Sequence, residues 1–150
     1  MKSYFTQTLK ISLLLSIICF ACKKKKSETV VQNCVYVPTY IDTTISLSDI
    51  SFFGLKTKGY AFTRYGSRRI ILYKESDSKY RAFDRASSYK MSEIGCPLKV
   101  NESGFFMQDT CSGSKFNFDG NVIQEPATCP LLEYTVSFIG SDQLRINHSP

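Results

Sequence analysis

The feature that most constrains this chain is a rhythm. From Asn33 onward, turn-forming residues recur at short intervals, and the stretches between them alternate apolar with polar side chains or run apolar throughout. Successive strand residues point to opposite faces, so alternation marks a half-buried strand and a short apolar run marks a central one. "DTTISLS" (Asp42 to Ser48) and "GYAFTRY" (Gly59 to Tyr65) alternate, whereas "RRIILYK" (Arg68 to Lys74) is nearly continuous and should lie inside a sheet. "CVYVP" (Cys34 to Pro38) and Lys79 to Phe83 read as further strands. "CPLKVNESGFFMQD" holds two strands around a turn at Asn101 to Gly104. "SKFNFDGNVIQ" turns at Asp119-Gly120, a dipeptide that favours hairpins. "LLEYTVSFIGSDQLRIN" closes with two strands around Gly140-Ser141-Asp142. A helix is expected only near Leu47 to Leu55. The fold class is therefore all-β, an antiparallel sandwich or small barrel of about nine or ten strands.

Residues 34–150 form one domain, long enough for a single hydrophobic core. The chain has nine Tyr, eleven Phe and no Trp. Aromatic side chains favour strands and fill sheet cores, so this content is read as packing rather than as a ligand-stacking face.

The leader "MKSYFTQTLKISLLLSIICFACKKKKSET" has a basic start at Lys2 and Lys10 and an apolar stretch from Ile11 to Phe20. That stretch is shorter than the roughly 20 apolar residues a membrane-spanning helix needs, and it suits a secretory signal. Ala21 before Cys22 resembles the lipobox of bacterial lipoproteins, although Cys19 and Phe20 are not its favoured residues. The resemblance implies a signal peptide over 1–21, a lipidated Cys22 and a Lys-rich tether over 22–33. An ordinary secretory signal and an uncleaved anchor are the alternatives. Several acyl chains, at about 0.8 kcal/mol per buried CH₂, would hold Cys22 on a membrane. Lys23 is compatible with outer-membrane sorting, facing periplasm or surface, in a bacterial cell envelope; an inner-membrane location is the alternative.

The net charge of +6 does not describe the domain. Lys2, Lys10 and Lys23 to Lys26 account for six of 19 basic residues and none of 13 acidic ones, leaving thirteen of each from Ser27 onward. The tetralysine can touch anionic headgroups beside the anchor. No basic field covers the domain, so a nucleic-acid partner is not expected. The expected partners are the membrane and an envelope protein of unknown identity.

Beyond Cys22, the exported segment carries Cys34, Cys96, Cys111 and Cys129. An even number in an oxidising compartment argues for disulfides, and arithmetic allows three pairings. Cys96 and Cys111 flank a candidate hairpin, whose closure would contribute about 3 kcal/mol; a Cys34–Cys129 bond would close a far longer loop, at about 4 to 5 kcal/mol.

Laid in order, these segments resemble the Rieske-type domain, from about Gly59 to the end and more loosely from Asn33. "GSRRIILYKESDSKYRAFDRA" is similar to the family's approach to its first cluster loop. "CSGSKFNFDGNVIQEPATCPLLEYTV" is similar to the family's second cluster loop and the final strand beyond it, with Gly113-Ser114, Phe116, Gly120, Pro126-Ala127, Pro130-Leu131 and Tyr134 in the family's order. The chain looks most similar to exported lipoproteins of the kind found in Bacteroidetes that carry degenerate Rieske-like domains. The resemblance implies a cluster-binding-type subdomain on the β fold. In the family, one Cys and one His from each loop hold a 2Fe-2S cluster. Here the corresponding positions are Ser87 and Tyr89 in the first loop, and Asp109 and Ser112 in the second. The resemblance also implies that Cys96 and Cys111 are the disulfide that some members carry across the cluster tip, aided here by hydrogen bonds from Ser87, Tyr89, Asp109 and Ser112.

The histidine count does not depend on that resemblance. The chain contains a single histidine, His148, near its end and read as an exposed tail residue. Two imidazoles on one iron cannot come from one His, so neither a cofactor nor a metal ligand set is expected. The leading reading is a non-catalytic structural or binding module. The alternative is a redox or electron-transfer protein with a non-standard site, such as four thiolates from Cys34, Cys96, Cys111 and Cys129, though no Cys-x-x-Cys spacing supports it. The same gap argues against a thiol–disulfide catalyst, and the lone terminal His argues against a hydrolytic triad. Asp109, Asp119 and Glu125 are read as turn residues rather than calcium ligands.

Overall fold

The computed structural model describes residues 34–37, 39–66, 68–91 and 95–148. The expected signal peptide over 1–21, Cys22 and the expected tether over 22–33 lie outside the described residues. Asn33–Pro150 forms a compact unit.

Ten strands succeed one another: β1 (Ile41–Ser46), β2 (Tyr60–Phe62), β3 (Ile70–Ser76), β4 (Lys79–Asp84), β5 (Lys99–Val100), β6 (Met107–Gln108), β7 (Lys115–Phe116), β8 (Val122–Gln124), β9 (Glu133–Phe138) and β10 (Gln143–His148). They form a six-stranded sheet in the order β1-β10-β9-β4-β3-β2 and a four-stranded sheet, β5-β6-β7-β8. Every pairing is antiparallel. The all-β expectation holds, and the larger sheet curls on itself. Its weak seam is β4 against β9, which pair only through Ala82–Tyr134 and Phe83–Glu133.

The apolar run in β3 explains how two sheets share one wall. Ile70, Ile71 and Leu72 are all fully buried. Because successive side chains face opposite ways, Ile70 and Leu72 enter a core with Ile45, Leu55, Leu144 and Ile146, while Ile71 enters a second core with Leu98, Met107, Phe116 and Leu131. β4 repeats the division, with Ala82 in the first core and Phe83 in the second. The expected single core is therefore two cores on either side of the β3–β4 hairpin.

Two local expectations change. Cys34–Val37 has no strand. It is held instead by the Cys34–Cys129 disulfide and by Tyr36, whose hydroxyl donates to the Pro130 carbonyl at 2.8 Å. The helix near Leu47 to Leu55 is a 3₁₀ turn at Ile50–Phe52 followed by the one-turn helix α1 (Gly54–Thr57). Asp49 caps the 3₁₀ turn by accepting the Ser51 N–H at 2.7 Å. Gly54 lets α1 lie against the β2 edge, since a Cβ there would sit 2.6 Å from the Tyr60 carbonyl oxygen.

Candidate functional site: the paired loops

Two loops leave the shared wall. The first comes after β4 and carries Ser87 and Tyr89. The second joins β6 to β7 and carries Asp109 and Ser112. Each is started by a buried carboxylate. Asp84 accepts the Ala86 N–H at 2.7 Å and the Tyr134 hydroxyl at 2.6 Å, which turns the chain out of β4. Burial, then the Asp84 hydrogen bond and charge, push the Tyr134 hydroxyl far above its ordinary range, so it stays a donor.

Asp109 does the same for the second loop. It is 3% exposed and accepts the Cys111 N–H at 2.9 Å, the Ser112 N–H at 3.3 Å and the Ser112 hydroxyl at 2.6 Å. Burial acts to raise its pKa, but the hydrogen bonds from Ser112, Cys111 and Ser87 outweigh it, so the carboxyl sits below its ordinary value of 3.8. The Ser87 hydroxyl, itself buried, is the bond that crosses from one loop to the other.

The network continues inward. The Ser112 and Ser114 hydroxyl oxygens are 2.9 Å apart. A serine has one hydroxyl proton, and that of Ser112 goes to Asp109, so Ser114 supplies the proton between the two serines. Ser114, fully buried, accepts the Ala127 N–H at 2.9 Å. The chain of bonds thus runs from Ala127 through Ser114 and Ser112 to Asp109. Gly113-Ser114 is visible in the sequence as a motif, but its central place in this network is not.

Tyr89 behaves differently from the expectation. It enters the network through its backbone N–H, which donates to Ser87 Oγ at 3.2 Å. Its ring packs against the second core, and its hydroxyl makes no hydrogen bond to a described residue. Near the loop tips Cys96 and Cys111 form one disulfide, and Cys34 and Cys129 form the other. All four cysteines are thereby consumed, which leaves no thiolate among them for an iron–sulfur or zinc site. His148 is not an exposed tail. It ends β10 opposite Ile41, half-buried, with its ring edge-on to Tyr134 at 5.6 Å.

Among the described residues, no group of three or more His, Cys, Asp or Glu side chains converges on a point. Asp119 pairs with Arg81 at 2.7 Å rather than with Asp109. Every buried side-chain polar atom described has a hydrogen-bond partner, so the network is closed and aims no spare donor or acceptor at a ligand. A 2Fe-2S group of the Rieske type does not fit these loops: Ser87, Tyr89, Asp109 and Ser112 offer two hydroxyls, a phenol and one committed carboxylate, whereas the group requires two thiolates and two imidazoles. What this arrangement can do chemically is hold two loops shut.

The sequence matches no family model and no curated protein. The fold is similar to the crystal structure of the cyanobacterial plasma membrane Rieske protein PetC3 from Synechocystis PCC 6803, with a TM-score of 0.53 and 18% identity over 69% of this chain and 97% of that one. At that identity the likeness establishes architecture alone: the chain has a Rieske-like β fold.

Proposed function

We propose that this protein is a membrane-tethered, cluster-free Rieske-like module of the bacterial cell envelope, serving as a structural or binding domain rather than an electron carrier. The observation that carries this reading is the network at the loops. Ser87, Asp109, Ser112 and Ser114 satisfy one another, and the cysteines beside them are oxidised to a disulfide. The scaffold of a cluster site remains, and internal hydrogen bonds do the closing. Cys22 and the tetralysine after it supply the tether, on the strength of the leader's resemblance to a lipobox. Among the described residues no helix is long and apolar enough to cross a membrane. The structural neighbour is a plasma membrane protein, which supports an envelope setting.

The test is a count of thiols and iron on the exported full chain. Alkylation without reduction should add no mass at Cys34, Cys96, Cys111 or Cys129, and iron with sulfide should give no visible absorption. Reactive thiols, or a coloured product, would make a redox site the better reading. A fatty-acid label that is incorporated by the wild type and lost in Cys22→Ser tests the anchor separately.

A further inference from the structure

Large apolar side chains are exposed near both ends of the β1–β10 ribbon. That ribbon runs from the Ile41–His148 pair to the Ser46–Gln143 pair. Ile50 and Ile139 belong to the Ser46 end: Ile50 follows β1, and the Ile139 N–H donates to the Gln143 carbonyl at 2.8 Å. Val35, Val37 and Tyr40 belong to the other end, before β1, and are 82%, 59% and 69% exposed.

The segment before β1 is fixed without being a strand. Cys34 is bonded to Cys129, the Tyr36 hydroxyl donates to the Pro130 carbonyl at 2.8 Å, and the Val37 N–H donates to Met91 Sδ at 3.4 Å. Cys129 and Pro130 lead into β9, whose Thr135 pairs with Asn147 at the same end of β10. Tyr36 packs on the first core, and Val35 and Val37, one residue to either side of it, point outward. In a ladder an outward valine has a use, because a branched side chain suits a pleated strand. Here no ladder favours it, and two neighbouring valines stay in water unless something covers them.

We propose that Val35, Val37 and Tyr40 seat the domain on an anionic lipid surface, the valines against acyl chains and the Tyr40 ring at headgroup level. This deepens the tethered-module reading and rests on its anchor at Cys22. Twelve positions separate Cys22 from Cys34, a reach of at most about 43 Å. The tether thus joins the domain at the Val35 end of the ribbon. Docking by the Ile50 and Ile139 end would draw the tether out along β1, whereas docking by the Val35 end leaves it slack. Lys23 to Lys26 favour anionic headgroups over the same stretch. A few apolar contacts suffice there, because a tethered domain meets its surface at high effective concentration.

The chain has no Trp, so one introduced tryptophan reports its own surroundings. The test places the anchored mature chain in vesicles of phosphatidylcholine and phosphatidylglycerol, with and without bromine on the acyl chains. Val35→Trp and Ile139→Trp are made in separate proteins. Both positions are exposed, so each variant should melt as the wild type does. The Val35→Trp protein should emit at shorter wavelength than the Ile139→Trp protein and be quenched by the brominated lipid, and adding Val37→Asp should abolish that quenching. The Ile139→Trp protein should be unquenched; a tryptophan drawn into lipid by its own ring would be drawn from either position. No quenching of the Val35→Trp protein would overturn the proposal, since the domain would stand off the bilayer and leave this face to a protein. Quenching of the Ile139→Trp protein, or quenching at position 35 that survives Val37→Asp, would overturn it too. A wild type that takes up no fatty-acid label sinks the anchor and this proposal with it; a labelled chain with an unquenched Val35→Trp signal sinks the docking alone.

Discussion

The two sheets are stabilised by different means, although they share a wall. The six-stranded sheet has strands of six or seven residues at β1, β3, β4, β9 and β10, and its core includes Leu72, Leu144 and Ile146 with no exposed surface. The four-stranded sheet has strands of two or three residues. Ladders that short contribute little alone. It relies on a few large side chains, a disulfide and the Asp109 network. Where strands are long, apolar burial can set the register; where they are short, covalent and polar links must do so.

That contrast predicts one residue on which both halves depend. Phe83 sits in β4 of the large sheet but packs in the second core, beneath the turn at Gly120. Phe83→Ala should cost about 3–5 kcal/mol, the range for a buried aromatic. Urea unfolding combined with hydrogen exchange should show β5 to β8 losing protection together with β3 and β4. If only one sheet responds, the wall is not shared in energy as it is in geometry.

The same contrast decides what was legible in the sequence. β3 was readable because a run of buried β-branched and Leu residues has one structural use, and β9 and β10 because their alternation lasts long enough to show a period. The strands from β5 to β8 are short: alternation through Phe116 and Phe118 marked β7, and the turns at Asn101 to Gly104 and at Asp119-Gly120 marked the others. Cys34 to Pro38 has the composition of a strand, but a disulfide and the Tyr36–Pro130 hydrogen bond anchor that segment where no ladder forms. The four loop positions were found by motif. Their bonding was not, because it depends on Ser114 and on the folding-back of Ser112, which no spacing encodes.

The disulfides sharpen the comparison. Cys34 and Cys129 are 95 residues apart, and Cys96 and Cys111 are 15 apart. Chain entropy alone predicts about 4 to 5 kcal/mol for the first and about 3 for the second. Paired Ser substitutions should reproduce that order in denaturant midpoints. The Cys96→Ser/Cys111→Ser protein should show faster exchange confined to β5 to β8. An equal, global loss from both would mean that the small sheet does not need its own staple.

Gly120 tests the contact between the sheets from the other side. It has φ 78°, and a Cβ there would lie 2.8 Å from Phe83 Cε1. Gly120→Ala should therefore cost about 2–3 kcal/mol, from backbone strain and overpacking together. The double variant Gly120→Ala with Phe83→Leu should recover part of this by making room, leaving the strain of the left-handed backbone behind. No recovery would show that the backbone contributes the whole effect.

The smallest effect separates charge from shape in the loop network. Asp109 is held below 3.8 in the folded protein, so the fold binds its proton more weakly than the unfolded chain does. Its stabilisation is complete above about pH 4 and is lost as pH falls through the folded value. Asp109→Asn keeps the size and one acceptor but removes the charge, and should cost about 1–2 kcal/mol at pH 7. Asp42, Asp49, Asp77 and Asp142 are also lowered, so the acid limb of the wild type is not due to Asp109 alone. The difference between wild type and Asp109→Asn isolates it. Measured by thermal melts from pH 7 to pH 2, that difference should hold steady to about pH 4 and then shrink towards zero. A difference that stays constant to pH 2 would mean the loops are closed by the shape of the side chain at position 109, with its charge incidental.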